Sequence, residues 1–318
     1  MATGARSSDR VPDAAPDNWV DRLAPEAIKP YLRLARFDRP IGAWLLLFPA
    51  WWSQALAEVS LGRPYPDLWY LALFLVGAFV MRGAGCTYND IVDRDYDARV
   101  ARTAARPIPS GQVGVAQALV FLAALGLVGL VVLLQFNLFT IALGAASLLL
   151  IAVYPFMKRF TFWAQAWLGI TFKWGALVGW AAVTGSLAPA ALLLYIGSIL
   201  WTVGYDTIYA HQDKEDDALL GLKSTALKFG DATPRWVAAF YAGAVLLWGV
   251  AGVLAGAHLV FLLALALAAA HFAWQVATLD TRDEGNCLVR FKSNQAVGWL
   301  LFLGLAADMG AAALSSGP

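Results

Sequence analysis

Apolar runs of roughly twenty residues recur along the whole chain, and each is long enough to cross a hydrocarbon core as a helix. Lipid offers no partner to a free backbone amide, so spanning segments are helices or closed barrels. A barrel would show short alternating segments instead. The chain is therefore read as all-α, a polytopic membrane protein with about nine transmembrane helices. Composition agrees. Of 318 residues, 60% are hydrophobic and 14% charged, against about 25% charged in a soluble domain, and the mean hydropathy is +0.61.

Residues 1–18, rich in Ala, Asp, Ser and Pro, read as a disordered tail. Residues 19–40 mix apolar side chains with Arg22, Lys29, Arg33, Arg36 and Arg39, which predicts an interfacial helix on an anionic membrane surface. Residues 41–314 then hold the spans, near 41–60, 68–88, 113–134, 138–156, 162–183, 190–209, 236–254, 259–279 and 295–314, before a short tail at 315–318. Alternate connections carry the lysines and arginines, at 94–106, 158–159, 214–228 and 282–292, while the opposite set holds only Arg63. Positive residues stay cytoplasmic, so the amino terminus is expected in the cytoplasm, with any site built from these loops facing it. The first forty residues lack the apolar core of a signal peptide. A bacterial inner membrane is the simplest setting; a eukaryotic organelle is the alternative, disfavoured since the tail is not Arg-rich and acid-poor as a transit peptide is. The net charge of +1 excludes a nucleic-acid partner. Cys86 and Cys287 lie too far apart in sequence to suggest a zinc site or disulfide framework.

Two acidic stripes end apolar segments on the charged side. The first is Gly85-Cys86-Thr87-Tyr88-Asn89-Asp90-Ile91-Val92-Asp93-Arg94-Asp95-Tyr96-Asp97. At about 100° per residue, Asn89, Asp90, Asp93 and Asp97 share one face of a helix and Asp95 points away. The second runs from Asp206 to Asp217; Asp206, Ala210, Asp213 and Asp217 share a face and Glu215 does not. Four spans separate the stripes, which suggests a duplicated four-helix unit. One stripe alone is equally well a solvated helix end. Two on one side, flanked by Arg102, Arg106 and Lys223, suit a hard cation such as Mg²⁺ joined to substrate phosphates. A diphosphate held at a membrane surface implies an amphiphile whose hydrocarbon tail lies among the helices.

The sequence resembles the UbiA family of intramembrane prenyltransferases. Asn89-Asp90-x-x-Asp93-x-x-x-Asp97 is similar to the family's first aspartate motif, and Asp206-x-x-Tyr209-Ala210-x-x-Asp213-x-x-x-Asp217 to its second. The likeness extends through Leu34-Ala35-Arg36-Phe37-Asp38-Arg39-Pro40-Ile41-Gly42, Arg102-x-x-x-Arg106-Pro107, Tyr154-Pro155-x-x-Lys158-Arg159-x-Thr161, Trp174-Gly175 and Gly221-x-Lys223-Ser224-Thr225. It is strongest to the members that prenylate 4-hydroxybenzoate for ubiquinone synthesis. The resemblance implies a central cavity roofed by both motifs, Mg²⁺ dependence, a polyprenyl diphosphate donor and 4-hydroxybenzoate or a similar aromatic acid as acceptor.

On that resemblance, Asn89, Asp93, Asp206 and Asp213 hold the metal, while Asp90, Asp97 and Asp217 are further ligands or orienting groups. Arg102, Arg106, Lys158 and Lys223 neutralise phosphate, and Tyr154, Trp174, Tyr205 and Tyr209 are candidates to flank an allylic cation. Arg36 is expected to receive the acceptor's carboxylate. Two positions depart from the pattern: Ala164 stands where the family usually has proline, and Lys173 lies where a small or amide residue is expected. Lys173 is expected to pair with a carboxylate. The alternatives are a family member with another acceptor (haem, homogentisate or a menaquinone precursor) or a membrane transporter; acids at span ends rather than at the midplane disfavour the latter.

Overall fold

The computed structural model describes residues 17–100 and 103–315, so most of the expected amino-terminal tail and residues 316–318 lie outside it. Fifteen α-helices follow one another: α1 (Trp19–Leu23), α2 (Lys29–Leu34), α3 (Ile41–Ser60), α4 (Leu68–Asp97), α5 (Val115–Leu133), α6 (Leu138–Val153), α7 (Met157–Phe160), α8 (Ala164–Phe172), α9 (Gly175–Thr184), α10 (Pro189–Ala210), α11 (Lys214–Leu219), α12 (Thr225–Phe229), α13 (Thr233–Ala255), α14 (Leu259–Ala277) and α15 (Glu284–Ser315). Eight helical stretches among the described residues are long and apolar enough to cross a membrane. Helix α3 is not among these eight. Its hydropathy is lowered by Trp44, Pro49, Trp51, Trp52, Gln54 and Glu58, and most of those side chains are buried in protein.

The chain forms two compact units, one comprising the described residues up to Ala43 with Val76–Val132, the other Trp44–Leu75 with 133–315. In the first unit, the expected interfacial helix is two short helices. Asn18 caps α1 by accepting from the Asp21 amide, and Arg33 at the end of α2 reaches back to Asp21 at 2.8 Å. Leu34 is fully buried with Ile108, Val113 and Ala118, and Tyr31, Ile91 and Phe121 pack around them. This apolar cluster ties the loop after α4 to the end of α2.

The second unit is held by small residues facing aromatic ones. On α10, Gly197 and Gly204 receive the rings of Trp248 and Tyr241 from α13. Helix α9 approaches α3 through Gly175 and Gly179, four residues apart. A Cβ on Gly179 would collide with the Ala50 carbonyl, the close approach that small residues permit in membrane helices. The expected fifth span is broken: α8 stops at Phe172 and α9 restarts at Gly175, with Lys173 and Trp174 between. The carbonyl of Ile170, beside the break, accepts the Tyr195 hydroxyl at 2.8 Å.

Two acids within apolar helices, Asp308 and Glu58, accept hydrogen bonds from backbone amides. Asp308 of α15 accepts the amides of His258, Val260 and Phe261 at 2.7, 3.1 and 3.2 Å, so it caps α14 from another helix. Glu58 accepts the Asp67 amide at 3.0 Å, and Asp67 in turn caps α4 at Trp69 and Tyr70.

Candidate active site

In the first unit, α4 continues without a break through Asp97, so the helical spacing of the first stripe holds. Asp90 and Asp93 are fully buried, Asp97 nearly so, and Asp95 is exposed. After α4 the Thr103 hydroxyl donates to the Asp97 carbonyl at 2.8 Å and turns the chain back. That return delivers Arg106, whose Nη1 donates to Asp97 Oδ2 at 2.7 Å and to Asp90 Oδ1 at 3.2 Å. From the other side Arg36 Nη2 donates to both oxygens of Asp90, at 2.7 and 2.8 Å. Arg36, Asp90, Arg106 and Asp97 thus form a ladder of alternating charge.

Arg36, expected to receive the acceptor's carboxylate, is also bonded within the protein. Its Nη1 donates to the carbonyls of Arg33 and Leu34, at 3.1 and 3.3 Å. Both Nη nitrogens thus make hydrogen bonds within the protein. Its backbone has φ 62°, the one positive value for a non-glycine among the described residues. That conformation costs a β-carbon-bearing residue about 1 kcal/mol, and the side chain's four hydrogen bonds hold it there. Burial opposes the Arg36 charge, but the Asp90 carboxylate outweighs it, so the guanidinium is held above even the ordinary arginine range. Arg102 lies outside the described residues.

In the second unit the geometry departs from a single wheel. Helix α10 carries Tyr205, Asp206 and Tyr209, then tightens to a 3-10 turn over His211–Asp213 before α11 presents Asp217. Asp206, Asp213 and Asp217 are half-buried, while Glu215 is exposed as its spacing predicts. His211 donates or accepts at Thr233 Oγ1, 3.0 Å away on α13, and so belongs to packing. The Lys223 amide donates to the Lys158 carbonyl at 2.8 Å and its Nζ to the Phe160 carbonyl at 3.2 Å, which sets these two lysines side by side. Gln165 Oε1 accepts the Thr225 amide at 3.0 Å, and Thr225 meets Thr207 of α10 hydroxyl to hydroxyl at 2.6 Å. These bonds fix the lysine-bearing turns to α10.

Among the aromatic candidates, Tyr205 and Tyr209 pack on Phe291, with ring centroids 5.7 and 4.5 Å apart. Trp174 instead donates its indole N–H to the Leu143 carbonyl of α6 at 2.8 Å. Tyr154 opens a 3-10 turn that ends α6. The sequence had not singled out Trp201, which packs edge-on to Tyr205 at 5.2 Å and donates to Asn294 Oδ1 at 2.7 Å.

In the first unit Asn89, Asp90, Asp93 and Asp97 of α4 offer amide and carboxylate oxygens at i, i+1, i+4 and i+8. In the second unit Asp206, Asp213 and Asp217 offer carboxylates around the end of α10. Both sets are of the hard character that a divalent cation such as Mg²⁺ takes. Among the described residues no three His, Cys, Asp or Glu side chains gather closely enough to chelate an ion by themselves. Asp90 and Asp97 are carboxylates of the stripe that accept hydrogen bonds from arginine, a place in which a carboxylate can orient its neighbours.

The fold and these motifs define an intramembrane prenyltransferase. The UbiA prenyltransferase family model matches residues 46–307, and the chain belongs to that family. It is 51% identical to the mitochondrial 4-hydroxybenzoate polyprenyltransferase of Rattus norvegicus, over 90% of this chain and 76% of the rat protein. The apo structure of a UbiA homolog from Aeropyrum pernix superposes with a TM-score of 0.70 at 27% identity, covering 83% of this chain and 98% of the other. The fold is also that of a UbiA homolog from Archaeoglobus fulgidus bound to GPP and Mg²⁺, with TM-score 0.64, 18% identity and coverage of 87% and 99%. The expected bacterial inner membrane is overturned, because similar relatives in mammals and a plant are mitochondrial proteins. Multi-pass insertion stands.

Proposed function

We propose that this protein transfers a polyprenyl group from polyprenyl diphosphate to the ring of 4-hydroxybenzoate, ortho to the hydroxyl, and releases diphosphate. The observation that carries the reading is the conjunction of two complete aspartate motifs with about half identity, over nine-tenths of the chain, to 4-hydroxybenzoate polyprenyltransferases. Mg²⁺ is the divalent cation assigned, held by Asn89, Asp93, Asp206 and Asp213; when bound it supplies positive charge to the departing diphosphate.

The chain's own groups do the rest. Asp90 and Asp97, fixed by Arg36 and Arg106, keep the α4 stripe in one rotameric arrangement before substrate arrives. Arg106, Lys158 and Lys223 give charge-assisted hydrogen bonds to phosphate oxygens, and Arg102 joins them by its place in the motif. Tyr205 and Tyr209 present faces that stabilise a developing allylic cation without attacking it. A motif carboxylate takes the proton that the ring loses, and Asp217 completes the second stripe. Arg36 acts by orienting Asp90.

Incubating purified protein with a polyprenyl diphosphate and a panel of aromatic acids tests the reading. Labelling of 4-hydroxybenzoate is expected. Labelling of homogentisate or a naphthoate in its place refutes the acceptor, and no dependence on divalent cation refutes the metal assignment.

A further inference from the structure

Gly221, with φ 67°, turns the chain after α11, and Ser224 enters α12 with an extended backbone, φ −145° and ψ 162°. The amide of Thr225, the first residue of α12, has no helical carbonyl behind it. It donates instead to Gln165 Oε1 of α8 at 3.0 Å, while the Lys223 amide donates to the Lys158 carbonyl at 2.8 Å. The hydroxyls bond in a definite sense. Thr207 has a single hydroxyl proton, and it goes to the Val203 carbonyl at 2.6 Å. In the 2.6 Å contact between Thr207 and Thr225 the proton therefore belongs to Thr225. Thr207 and Thr225 are wholly buried and Gln165 is 7% exposed, so water does not replace these bonds.

The backbone bond between Lys223 and Lys158 sets two ammonium-bearing residues side by side, and like charges repel. An untethered turn would open and separate them. Two residues beyond Lys223, Thr225 anchors that turn to α8 through Gln165 and to α10 through Thr207. Lys223 Nζ, bonded once to the Phe160 carbonyl, has two further protons to offer. We propose that Gln165, Thr207 and Thr225 are positioning residues for the diphosphate, a buried clamp that holds Lys158 and Lys223 together before the anion arrives. The inference rests on the reading of both lysines as phosphate-binding groups. Like charges held in place ahead of binding leave the anion less ordering to do, and the diphosphate then relieves their repulsion. The clamp sets affinity for the diphosphate and leaves the aromatic acceptor untouched.

The test is competitive inhibition of prenyl transfer by inorganic diphosphate, with the KM of each substrate, in purified protein at saturating Mg²⁺. Thr207→Val keeps the shape and removes the acceptor for Thr225; Thr207→Ser keeps the hydroxyl; Gln165→Met removes the acceptor for the Thr225 amide. The inhibition constant and the donor KM are expected to rise at least fivefold in Thr207→Val and Gln165→Met, with the acceptor KM unmoved. Thr207→Ser should stay within twofold of wild type. A purely structural role lowers the unfolding temperature and the active fraction but leaves the inhibition constant and donor KM where they were. That result in either variant overturns the proposal, so if one fails to fold the other decides. Lys223→Gln separates the underlying reading. If it leaves the inhibition constant unchanged, Lys223 binds no phosphate and the reading itself fails. If it raises the constant while Thr207→Val does not, only the clamp is refuted. Adding Thr207→Val to Lys223→Gln should weaken diphosphate binding no further, because the clamp acts through the lysine; losses that multiply overturn it.

Discussion

Replacing Arg36 by alanine strands a buried carboxylate. Asp90 is fully buried and loses both Nη2 hydrogen bonds, keeping Arg106 at 3.2 Å. Removing one member of a buried pair costs about 3–5 kcal/mol. With Arg106 still in place the lower end applies, about 3 kcal/mol. The backbone at φ 62° separates a second contribution. Alanine retains the left-handed strain and glycine does not, so Arg36→Gly should be about 1 kcal/mol more stable than Arg36→Ala. Asp90→Ala leaves Arg36 its Arg33 and Leu34 carbonyls, and Arg36→Ala/Asp90→Ala removes both charges together. The double-mutant cycle should therefore give a coupling of about 2 kcal/mol or more. Reversible unfolding of the four proteins in mixed detergent micelles measures it. A coupling below about 0.5 kcal/mol, the range of solvated surface pairs, refutes the ladder. An Arg36→Gly variant no more stable than Arg36→Ala refutes the backbone argument. In steady-state kinetics the same Arg36→Ala variant should lower kcat; a rise in acceptor KM alone would return Arg36 to carboxylate binding.

Asp93→Ala and Asp213→Ala should each abolish prenyl transfer while inserting and unfolding near the wild-type temperature; near-normal turnover in either, with Mg²⁺ present, removes it from the metal site. Chelation of divalent cations should stop turnover, and added Mg²⁺ should restore it in a radiolabel transfer assay. Asp308→Ala leaves three backbone amides of α14 without their acceptor and should cost about 3 kcal/mol or more, with Asp308→Asn intermediate, read by detergent unfolding. Gly179→Ala drives a methyl into the Ala50 carbonyl and should destabilise by about 2 kcal/mol or more.

Much of this was legible in the residues. Apolar runs located the spans, and the helical period excluded Asp95 and Glu215, both of which are exposed. In the second stripe the period assumed one continuous helix, where His211–Asp213 tighten to a 3-10 turn. Span ends also shifted. Helix α4 runs on to Asp97, and α15 begins at Glu284, eleven residues before the expected start at 295; hydropathy falls where polar residues enter, although the backbone bonds continue. The break at Lys173 and Trp174 has no proline to announce it. Lys173 there donates to the Leu45 carbonyl of α3 at 2.6 Å, the carbonyl that Pro49, lacking an amide, leaves without its helical partner. The partners of Arg36 and Asp308 lie 54 and about 50 residues away in sequence, beyond any local pattern. Lys173 itself was visible as a departure from the resemblance, but its hydrogen bond to Leu45 and its place over the Trp201 ring were not.

The cap on α14 has a consequence for how the chain is made. Its acceptor, Asp308, is synthesised about 50 residues after the amides it serves. While the ribosome is still building α15, the penultimate span has a start whose polar backbone groups lack their final partner. That span keeps an uncapped start until the last one arrives. Termination ahead of codon 308 should therefore yield a protein whose loss extends beyond the missing turns, leaving α14 open at its entrance and exposed to membrane quality-control proteases.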